Sequence, residues 1–222
     1  MGLEDYKEIV ETSAAVMTMA QMFAGVFICK DIYLKGTAKG FDPMPFIGGT
    51  GMGVLMLQYA LILKDSTMIN VNVFGIVLNV MYYLFYYTYT PNKTETLALT
   101  GKVVALVAVI LGYAQVENPE NIEYRFGIIV TALMFTLIAA PLFNLGEIIK
   151  TKSSASLPFP LIFMATIVTF LWLLYGLIID NGFIIFQNAV GFTLSATQLS
   201  LFVIYPSKSP VELEPETEKK QN

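Results

Sequence analysis

Seven long apolar stretches limit what this chain can fold into. A helix needs about 20 mainly apolar residues to cross the roughly 30 Å hydrocarbon core of a bilayer. Stretches of that kind cover residues 10–33, 44–63, 68–89, 101–114, 126–149, 158–179 and 183–205, of which the fourth is the shortest. Charged residues make up 14% of the chain, against about 25% in soluble domains. The sequence therefore predicts an all-α integral membrane protein with seven transmembrane helices.

The chain contains one sequence pattern twice. Met56 precedes Asn72 by 16 residues, and Trp172 precedes Asn188 by the same 16. The residues that pair at offsets of 115 or 116 are Pro45 with Pro160, Tyr59 with Tyr175, Asp65 with Asp180, Asn72 with Asn188 and Gly75 with Gly191. We interpret the pattern as an internal duplication, in preference to two unrelated bundles with a chance similarity.

The duplication predicts how the helices are organised. Helices 1 to 3 match helices 5 to 7, and an odd number of helices per repeat would invert the second copy unless one more helix lay between them. The fourth stretch suits that task, and we expect two parallel three-helix bundles joined by a linker helix, a 3+1+3 arrangement. The predicted segments are an extracellular amino terminus (1–9), the first triple-helix repeat (10–89), a linker with helix 4 (90–125), the second repeat (126–205) and a disordered cytosolic tail (206–222).

Basic residues predict the orientation in the membrane, because cytoplasmic loops are enriched in Lys and Arg. The loops after helices 1, 3 and 5, together with the tail, hold ten basic residues, and the opposite side holds three. The amino terminus is therefore expected in the extracellular space or a lumen, and the carboxyl terminus in the cytosol. No cleavable signal peptide is expected, since Glu4, Asp5 and Glu8 lie where a positively charged region would precede the first helix.

Polar side chains inside the predicted helices are the candidates for a binding site, because intramembrane polar residues are rare and usually functional. Asn72, Asn188, Met56 and Trp172 all lie about 10 to 13 Å below the predicted external turns, at a rise of about 1.5 Å per residue. We expect the four to converge on one cavity along a pseudo-two-fold axis normal to the membrane. The alternatives are hydrogen bonds between neighbouring helices for the asparagines and the interfacial aromatic belt for Trp172.

The sequence resembles the SWEET family of sugar transporters, the eukaryotic seven-helix members of the MtN3/saliva group, in an animal-like form. The most specific matches are Lys150-Thr151-Lys152-Ser153-Ser154, Leu157-Pro158-Phe159-Pro160, Trp172-Leu173-Leu174-Tyr175-Gly176, Asp180, Asn188 and Gly191. The first repeat matches more loosely, through Thr37-Ala38-Lys39-Gly40 and Pro43-Met44-Pro45-Phe46. The resemblance covers nearly the whole chain, and parallel repeats are a known feature of this family.

The resemblance implies roles for individual residues. Asn72, Asn188, Met56 and Trp172 would line a sugar pocket. Pro45, Pro141 and Pro160 would be hinges near the cytosolic gate, whereas helix 1 has Val26 and its neighbours where a proline often lies, and Gly25 replaces that proline only in part. Tyr59 and Tyr175 are expected at a gate or pocket edge, with packing as the alternative. Asp65 and Asp180 are expected to cap the external turns, with a place in the external gate as the alternative. The resemblance also implies a homo-oligomer, namely a trimer.

The chemistry of the four pocket residues suits a sugar. Sugar hydroxyls both donate and accept hydrogen bonds, and an uncharged amide does the same. The indole of Trp172, the only tryptophan, can stack on the CH face of a pyranose while its N–H reaches a hydroxyl. The expected substrate is glucose, sucrose or another disaccharide, and Met56, bulkier than the small residue of some relatives, leaves the sugar's size open.

Other functions find little support in the residues. The chain has no histidine, no acidic pair inside the predicted spans and no glycine-rich phosphate loop, so neither proton coupling nor ATP coupling is expected. Catalysis, a cofactor, a metal and nucleic-acid binding are not expected either. We predict a facilitative, bidirectional sugar uniporter of the plasma membrane or the Golgi that works by alternating access. The alternatives are an amino-acid or cystine carrier of the PQ-loop group, whose Pro-Gln dipeptide is absent, a seven-helix receptor and a non-transporting membrane partner protein.

Overall fold

The computed structural model of the chain describes residues 3–152, 154 and 157–205. Regular secondary structure in these ranges is helical. A short 3-10 helix, Leu3–Tyr6, is followed by α1 (Lys7–Met22), α2 (Gly25–Lys35), α3 (Met44–Leu63), α4 (Ser66–Tyr89), α5 (Lys93–Val116), α6 (Ile122–Thr151), α7 (Phe159–Ile178) and α8 (Gly182–Ile204). The predicted disordered tail, 206–222, lies outside the described residues.

The helices differ from the predicted stretches at two places. The fourth stretch was expected at 101–114, but α5 is 24 residues long. It begins at Lys93, before its apolar part. Glu95 lies in this first turn, where its negative charge suits the positive end of the helix dipole. The first stretch was expected over 10–33, and it lies within one membrane-length segment, Glu4–Lys35. Two turn residues, Phe23 and Ala24, separate α1 from α2 inside this segment.

Five helical segments of the described residues are long and apolar enough to cross a membrane. They are Glu4–Lys35, Met44–Leu63, Ser66–Tyr89, Lys93–Val116 and Phe159–Ile178. The 23-residue α8 is also long enough, but it carries three amide side chains, those of Gln187, Asn188 and Gln198.

The chain divides into two compact units, Met1–Met134 and Phe135–Asn222. In the first unit α4 is the central helix, since α1, α2 and α3 all pack against it, and α3 packs in addition against the linker helix α5. In the second unit α7 and α8 pack against each other. The pairs α3–α4 and α7–α8 are therefore the equivalent helical hairpins of the two repeats.

Glycines on two sides of α3 allow its neighbours to come close. A Cβ atom on Gly49 would lie 2.9 Å from Oδ1 of Asn79 on α4, and one on Gly51 would lie 2.8 Å from Cγ1 of Val103 on α5. In a membrane, such small residues let helix backbones approach and gain van der Waals contact. The glycine-rich sequence of α3 thus sets its distance from both the repeat partner α4 and the linker helix.

A polar cluster joins the end of α5 to the start of α6. The guanidinium of Arg125 lies 2.9 Å from the carboxylate of Glu117, which also accepts a hydrogen bond from the hydroxyl of Tyr113 and one from the backbone N–H of Asn118 at 2.8 Å. The Tyr113 hydroxyl first, and then the Asn118 N–H and the Arg125 guanidinium, hold the pKa of the Glu117 carboxyl below its usual range. These contacts fix the linker helix to the beginning of α6.

The close approach of α3 and α5 predicts that Gly51→Ala lowers the melting temperature of the purified protein. The new methyl group would meet Val103, whose β-branched side chain has little rotamer freedom in a helix, and overpacking of this kind costs about 1 to 3 kcal/mol. The matched control is Gly101→Ala on α5, because a Cβ there has no neighbour within 4 Å. Thermal unfolding in detergent checks this, and equal melting temperatures for the two variants would show that the contact is not tight.

Candidate functional site

The first half of the candidate site lies on α3 and α4. Asn72 is half-buried on α4, and Met56 is half-buried on the adjacent α3. The amide nitrogen of Asn72 donates to the carbonyl of Met68, one turn earlier, at 2.8 Å. Within the described ranges the Asn72 side chain has no other hydrogen bond, so its amide oxygen and second N–H remain available to a ligand.

The second half lies on α7 and α8 and repeats this geometry. The amide nitrogen of Asn188 donates to the carbonyl of Ile184 at 2.9 Å, and Ile184 occupies in the second repeat the place that Met68 has in the first. Trp172 on α7 is half-buried, and its ring lies edge-on to Tyr175 with the centroids 5.5 Å apart. Among the described residues, both asparagines therefore use one N–H on their own helix and keep a donor and an acceptor.

Each unit by itself thus contains one asparagine and one large side chain on paired helices. The convergence of Asn72, Asn188, Met56 and Trp172 on a single cavity stays a prediction. A cavity of about 300 Å³ in the first unit lies elsewhere, at the end of α4 and the start of α5, where its lining includes Phe41, Thr90 and Glu95.

Tyr59 and Tyr175 are among the most deeply buried large side chains of the described residues, with 0% and 2% of their surface exposed. Each lies three residues after the large side chain of its half-site, Met56 or Trp172. Such burial agrees with the packing alternative, because a buried tyrosine contributes a large apolar area to the core. Their role in a gate stays a prediction.

The α3–α4 turn shows what Asp65 does. Its backbone is extended, and its side chain accepts a hydrogen bond from the N–H of Met68 at 2.9 Å. Asp65 is therefore the N-cap of α4, as predicted, and satisfies one of the amide groups that a helix leaves open at its start. The residue before it, Lys64, has a left-handed backbone with φ of 55°.

The α7–α8 turn repeats this structure, with a different residue at the cap. Asn181 accepts a hydrogen bond from the N–H of Ile184 at 3.0 Å and is the N-cap of α8. Asp180 has a left-handed backbone with φ of 52° and thus corresponds to Lys64. The prediction that Asp180 caps the turn is wrong, and the pairing of Asp65 with Asp180 shifts by one residue to Asn181. A gate role for Asp65 and Asp180 stays a prediction.

The predicted hinge prolines Pro45 and Pro160 lie at the second residues of α3 and α7. At this place a proline removes no helical hydrogen bond, since the first N–H groups of a helix have no partner within it. A hinge at either proline would consequently act at the junction of loop and helix and not as a kink inside the helix. Pro141 lies in α6, but its side chain is outside the described part of the structure.

Two similar repeats of apolar helices, each with an equivalent half-buried asparagine, define a helical membrane protein of the internally duplicated class. A protein-family model, MtN3_slv, described as "Sugar efflux transporter for intercellular exchange", matches the chain twice, at residues 8–94 and 124–210. The chain belongs to this family.

Named relatives agree with the family model. The chain is 36% identical over 208 residues to "Sugar transporter SWEET1" of Drosophila pseudoobscura pseudoobscura, covering 91% of each chain. It is 32% identical to "Sugar transporter SWEET1" of Caenorhabditis elegans, covering 95% of this chain and 71% of the relative. It is 31% identical to "Bidirectional sugar transporter SWEET10" of Arabidopsis thaliana, covering 83% and 65%.

A solved structure, "The 3.7 A resolution structure of a eukaryotic SWEET transporter", has the same fold. The match has a TM-score of 0.84 at 22% sequence identity and covers 93% of this chain and 99% of that one. The predicted all-α membrane fold with seven transmembrane helices is confirmed, and its 3+1+3 organisation agrees with this match.

The hydrogen bonds of the two turns predict different outcomes for loss of the cap and loss of the charge at residue 65. Asp65→Ala removes the cap and should destabilise the protein by about 1 kcal/mol, whereas Asp65→Asn keeps an N-cap residue of similar strength. Asn181→Ala and Asn181→Asp are the matched pair in the second repeat. Thermal unfolding of the four variants checks this. A loss in Asp65→Asn as large as in Asp65→Ala would mean that the charge matters and not the cap.

Proposed function

We propose that this protein is a facilitative, bidirectional sugar uniporter. The observation that carries the proposal is the matched geometry of Asn72 and Asn188, each bonded to its own helix four residues back at 2.8 and 2.9 Å. Family membership and the names of the relatives, which are called sugar transporters, support the same function.

The two amides have the hydrogen-bonding groups that a sugar needs. Because one N–H of each amide is bonded within its helix, the side chain is held in one orientation while its oxygen and its second N–H remain for substrate hydroxyls. Hydrogen bonds of this kind contribute about 1 kcal/mol each, so a few of them give millimolar binding, which corresponds to about 4 kcal/mol. Such weak binding allows release on either side of the membrane.

The large side chains beside the asparagines differ between the repeats. Trp172 offers a flat apolar face to the CH side of a pyranose, whereas Met56 offers a flexible thioether chain that adapts to irregular shapes. An asymmetric pocket of this kind favours a ring stacked on one wall, such as glucose or one ring of a disaccharide like sucrose.

The proposal of downhill transport rests on which residues could couple the movement of sugar to an energy source. The chain has no histidine, and the described ranges hold no group of three or more Cys, Asp or Glu side chains that could bind a metal ion. The ion pair of Arg125 with Glu117 lies at the end of α5 and the start of α6, and not on the helices α3, α4, α7 and α8 that carry the half-sites. The proposal therefore includes no ion coupling, no cofactor and no catalysis.

The proposal extends to the setting of the protein. The lysine distribution supports an amino terminus that is extracellular or lumenal and a cytosolic carboxyl terminus, at the plasma membrane or the Golgi. A homo-oligomer, namely a trimer, is proposed on the family resemblance. The amino-acid carrier and the non-transporting partner protein remain as outcomes of the transport assay.

The proposal predicts that Asn72→Ala and Asn188→Ala each reduce sugar flux at least tenfold. Each change removes a donor and an acceptor, together about 2 kcal/mol of substrate interaction. The measurement is uptake and release of labelled glucose and sucrose in cells that lack hexose uptake, with the amount of protein at the membrane determined in parallel. Asn92→Ala is the control, since the Asn92 amide bonds Glu95 at an exposed helix start. Unchanged flux in both substrate-site variants would contradict the proposal.

A second prediction concerns the driving force. Labelled sugar should reach, and not exceed, the external concentration, and a protonophore should leave the initial rate unchanged. Preloading the cells with unlabelled sugar should speed the exit of label through exchange. Accumulation above the external concentration that collapses with the protonophore would instead establish proton coupling.

A further inference from the structure

The first transmembrane segment is interrupted although it contains no proline. α1 ends at Met22 and α2 begins at Gly25. Tighter turns bridge the gap, since the N–H of Phe23 donates to the carbonyl of Ala20 at 3.2 Å and that of Ala24 to the carbonyl of Gln21 at 3.0 Å. The break lies within an apolar span, where a backbone group without a partner is costly.

One carbonyl changes its partner at the break. The N–H of Val26 donates to the carbonyl of Phe23, three residues back, at 2.9 Å, whereas in a regular α-helix it would donate to Met22, four residues back. The Met22 carbonyl accepts instead the hydroxyl of Tyr82 from α4, at 3.3 Å. A proline at residue 26 would release the same carbonyl, because proline has no N–H to give it.

Gly25 is what allows Tyr82 to reach this carbonyl. A Cβ atom on Gly25 would lie 2.4 Å from Cε2 and 2.6 Å from Cδ2 of the Tyr82 ring. Both distances are far below any van der Waals contact, so only glycine fits. The end of α1 also packs on α4, because a Cβ on Gly75 would lie 2.8 Å from Cε of Met22.

Below the break α2 is held firmly, since Tyr82 belongs to a buried cluster. The cluster consists of Ile32, Ala38, Phe46, Tyr82 and Tyr86, with Ile28 and Cys29 among the side chains packed on it. The cluster therefore includes residues of α2 and none of α1. Since α1 and α2 both pack on α4, one on each side of the break, a bend at Met22 to Gly25 would turn these two segments relative to each other.

The internal duplication supports a bend at this place independently. Pro141 of α6 aligns with Gly25 at an offset of 116 and with Val26 at 115. A proline inside a helix removes one hydrogen bond of the ladder and favours a kink. Pro141 has no N–H to donate, so the sequence removes one ladder hydrogen bond from the first helix of the second repeat at the position that aligns with the break between α1 and α2.

We propose that Gly25 and Tyr82 form a proline-free hinge in the first transmembrane helix and are positioning residues for transport. The inference rests on the proposed function, in which the repeats rock around the substrate. At the break the Tyr82 hydroxyl satisfies the Met22 carbonyl, so that a bend there would not expose an unpaired acceptor to lipid. Neither residue belongs to the half-sites.

The test is Tyr82→Phe, which keeps the ring and removes the hydroxyl. Without that donor the Met22 carbonyl regains the Val26 N–H and the helix straightens. The maximal rate of sugar exchange should fall at least fivefold while KM is unchanged, because Asn72 and Met56 are untouched. The control is Tyr86→Phe on the same helix, which loses a hydroxyl bond to the Phe41 carbonyl at 3.1 Å and should keep its rate.

A rescue experiment distinguishes a hinge from a hydroxyl group that only stabilises the fold. In Tyr82→Phe combined with Val26→Pro, the proline cannot donate to Met22, so the break returns and the rate should recover to within twofold of the parent. A folded double variant without recovery would overturn the proposal, as would a parental rate in Tyr82→Phe.

A distance measurement tests the bend without any transport. Spin labels are placed at Ile9→Cys on α1 and Leu34→Cys on α2, both exposed, with Cys29→Ser to remove the only native thiol. A straight helix separates these sites by ~38 Å at about 1.5 Å per residue. Tyr82→Phe and Gly25→Ala should each lengthen the measured distance toward that value, and Val26→Pro in the Tyr82→Phe background should shorten it again. Distances that stay at the parental value in Tyr82→Phe and Gly25→Ala would overturn the hinge.

A parent protein that carries no sugar would instead overturn the proposed function and leave this distance measurement valid.

Discussion

Backbone groups inside a bilayer must find their hydrogen bonds within the protein, and the main features of this structure depend on that constraint. It explains why the apolar stretches are helical. It also explains why a departure from regular helix within them is informative. The carbonyl released at the break between α1 and α2 is bonded by the hydroxyl of Tyr82, and the two half-site asparagines return one N–H each to their own helices.

The two repeats share backbone geometry and hydrogen bonds at equivalent places, but the side chains at these places differ. The two helical hairpins share a left-handed residue followed by an N-cap, yet the cap is Asp65 in one and Asn181 in the other. The half-sites share an asparagine with the same intrahelical bond, yet the neighbouring large side chain is Met56 in one and Trp172 in the other. The two half-sites therefore differ in the shape of the large side chain although their asparagines make the same intrahelical hydrogen bond.

In the first unit α4 combines several of these tasks. It carries the half-site asparagine Asn72, the buried Tyr82 and the contact of Asn79 with Gly49 of α3. A shift of α4 would therefore move both the half-site residue Asn72 and the Tyr82 hydroxyl at the break in the first helix. Asn72 and Tyr82 thus lie on the same helix, which links the first half-site physically to the proposed hinge.

The sequence by itself determined the helices and the equivalence of the two half-sites, because apolar length and residue spacing are local properties that need no knowledge of packing. It could not decide between offsets of 115 and 116, so it paired Asp65 with Asp180, and only the backbone angles showed that Asp180 takes the left-handed position and Asn181 the cap. It also predicted one continuous first helix, since a single glycine is often tolerated within an apolar helix. The tertiary structure decided that break, because the partner of the Met22 carbonyl is Tyr82, 60 residues away, and a hydrogen bond between distant segments exists only once the helices have packed.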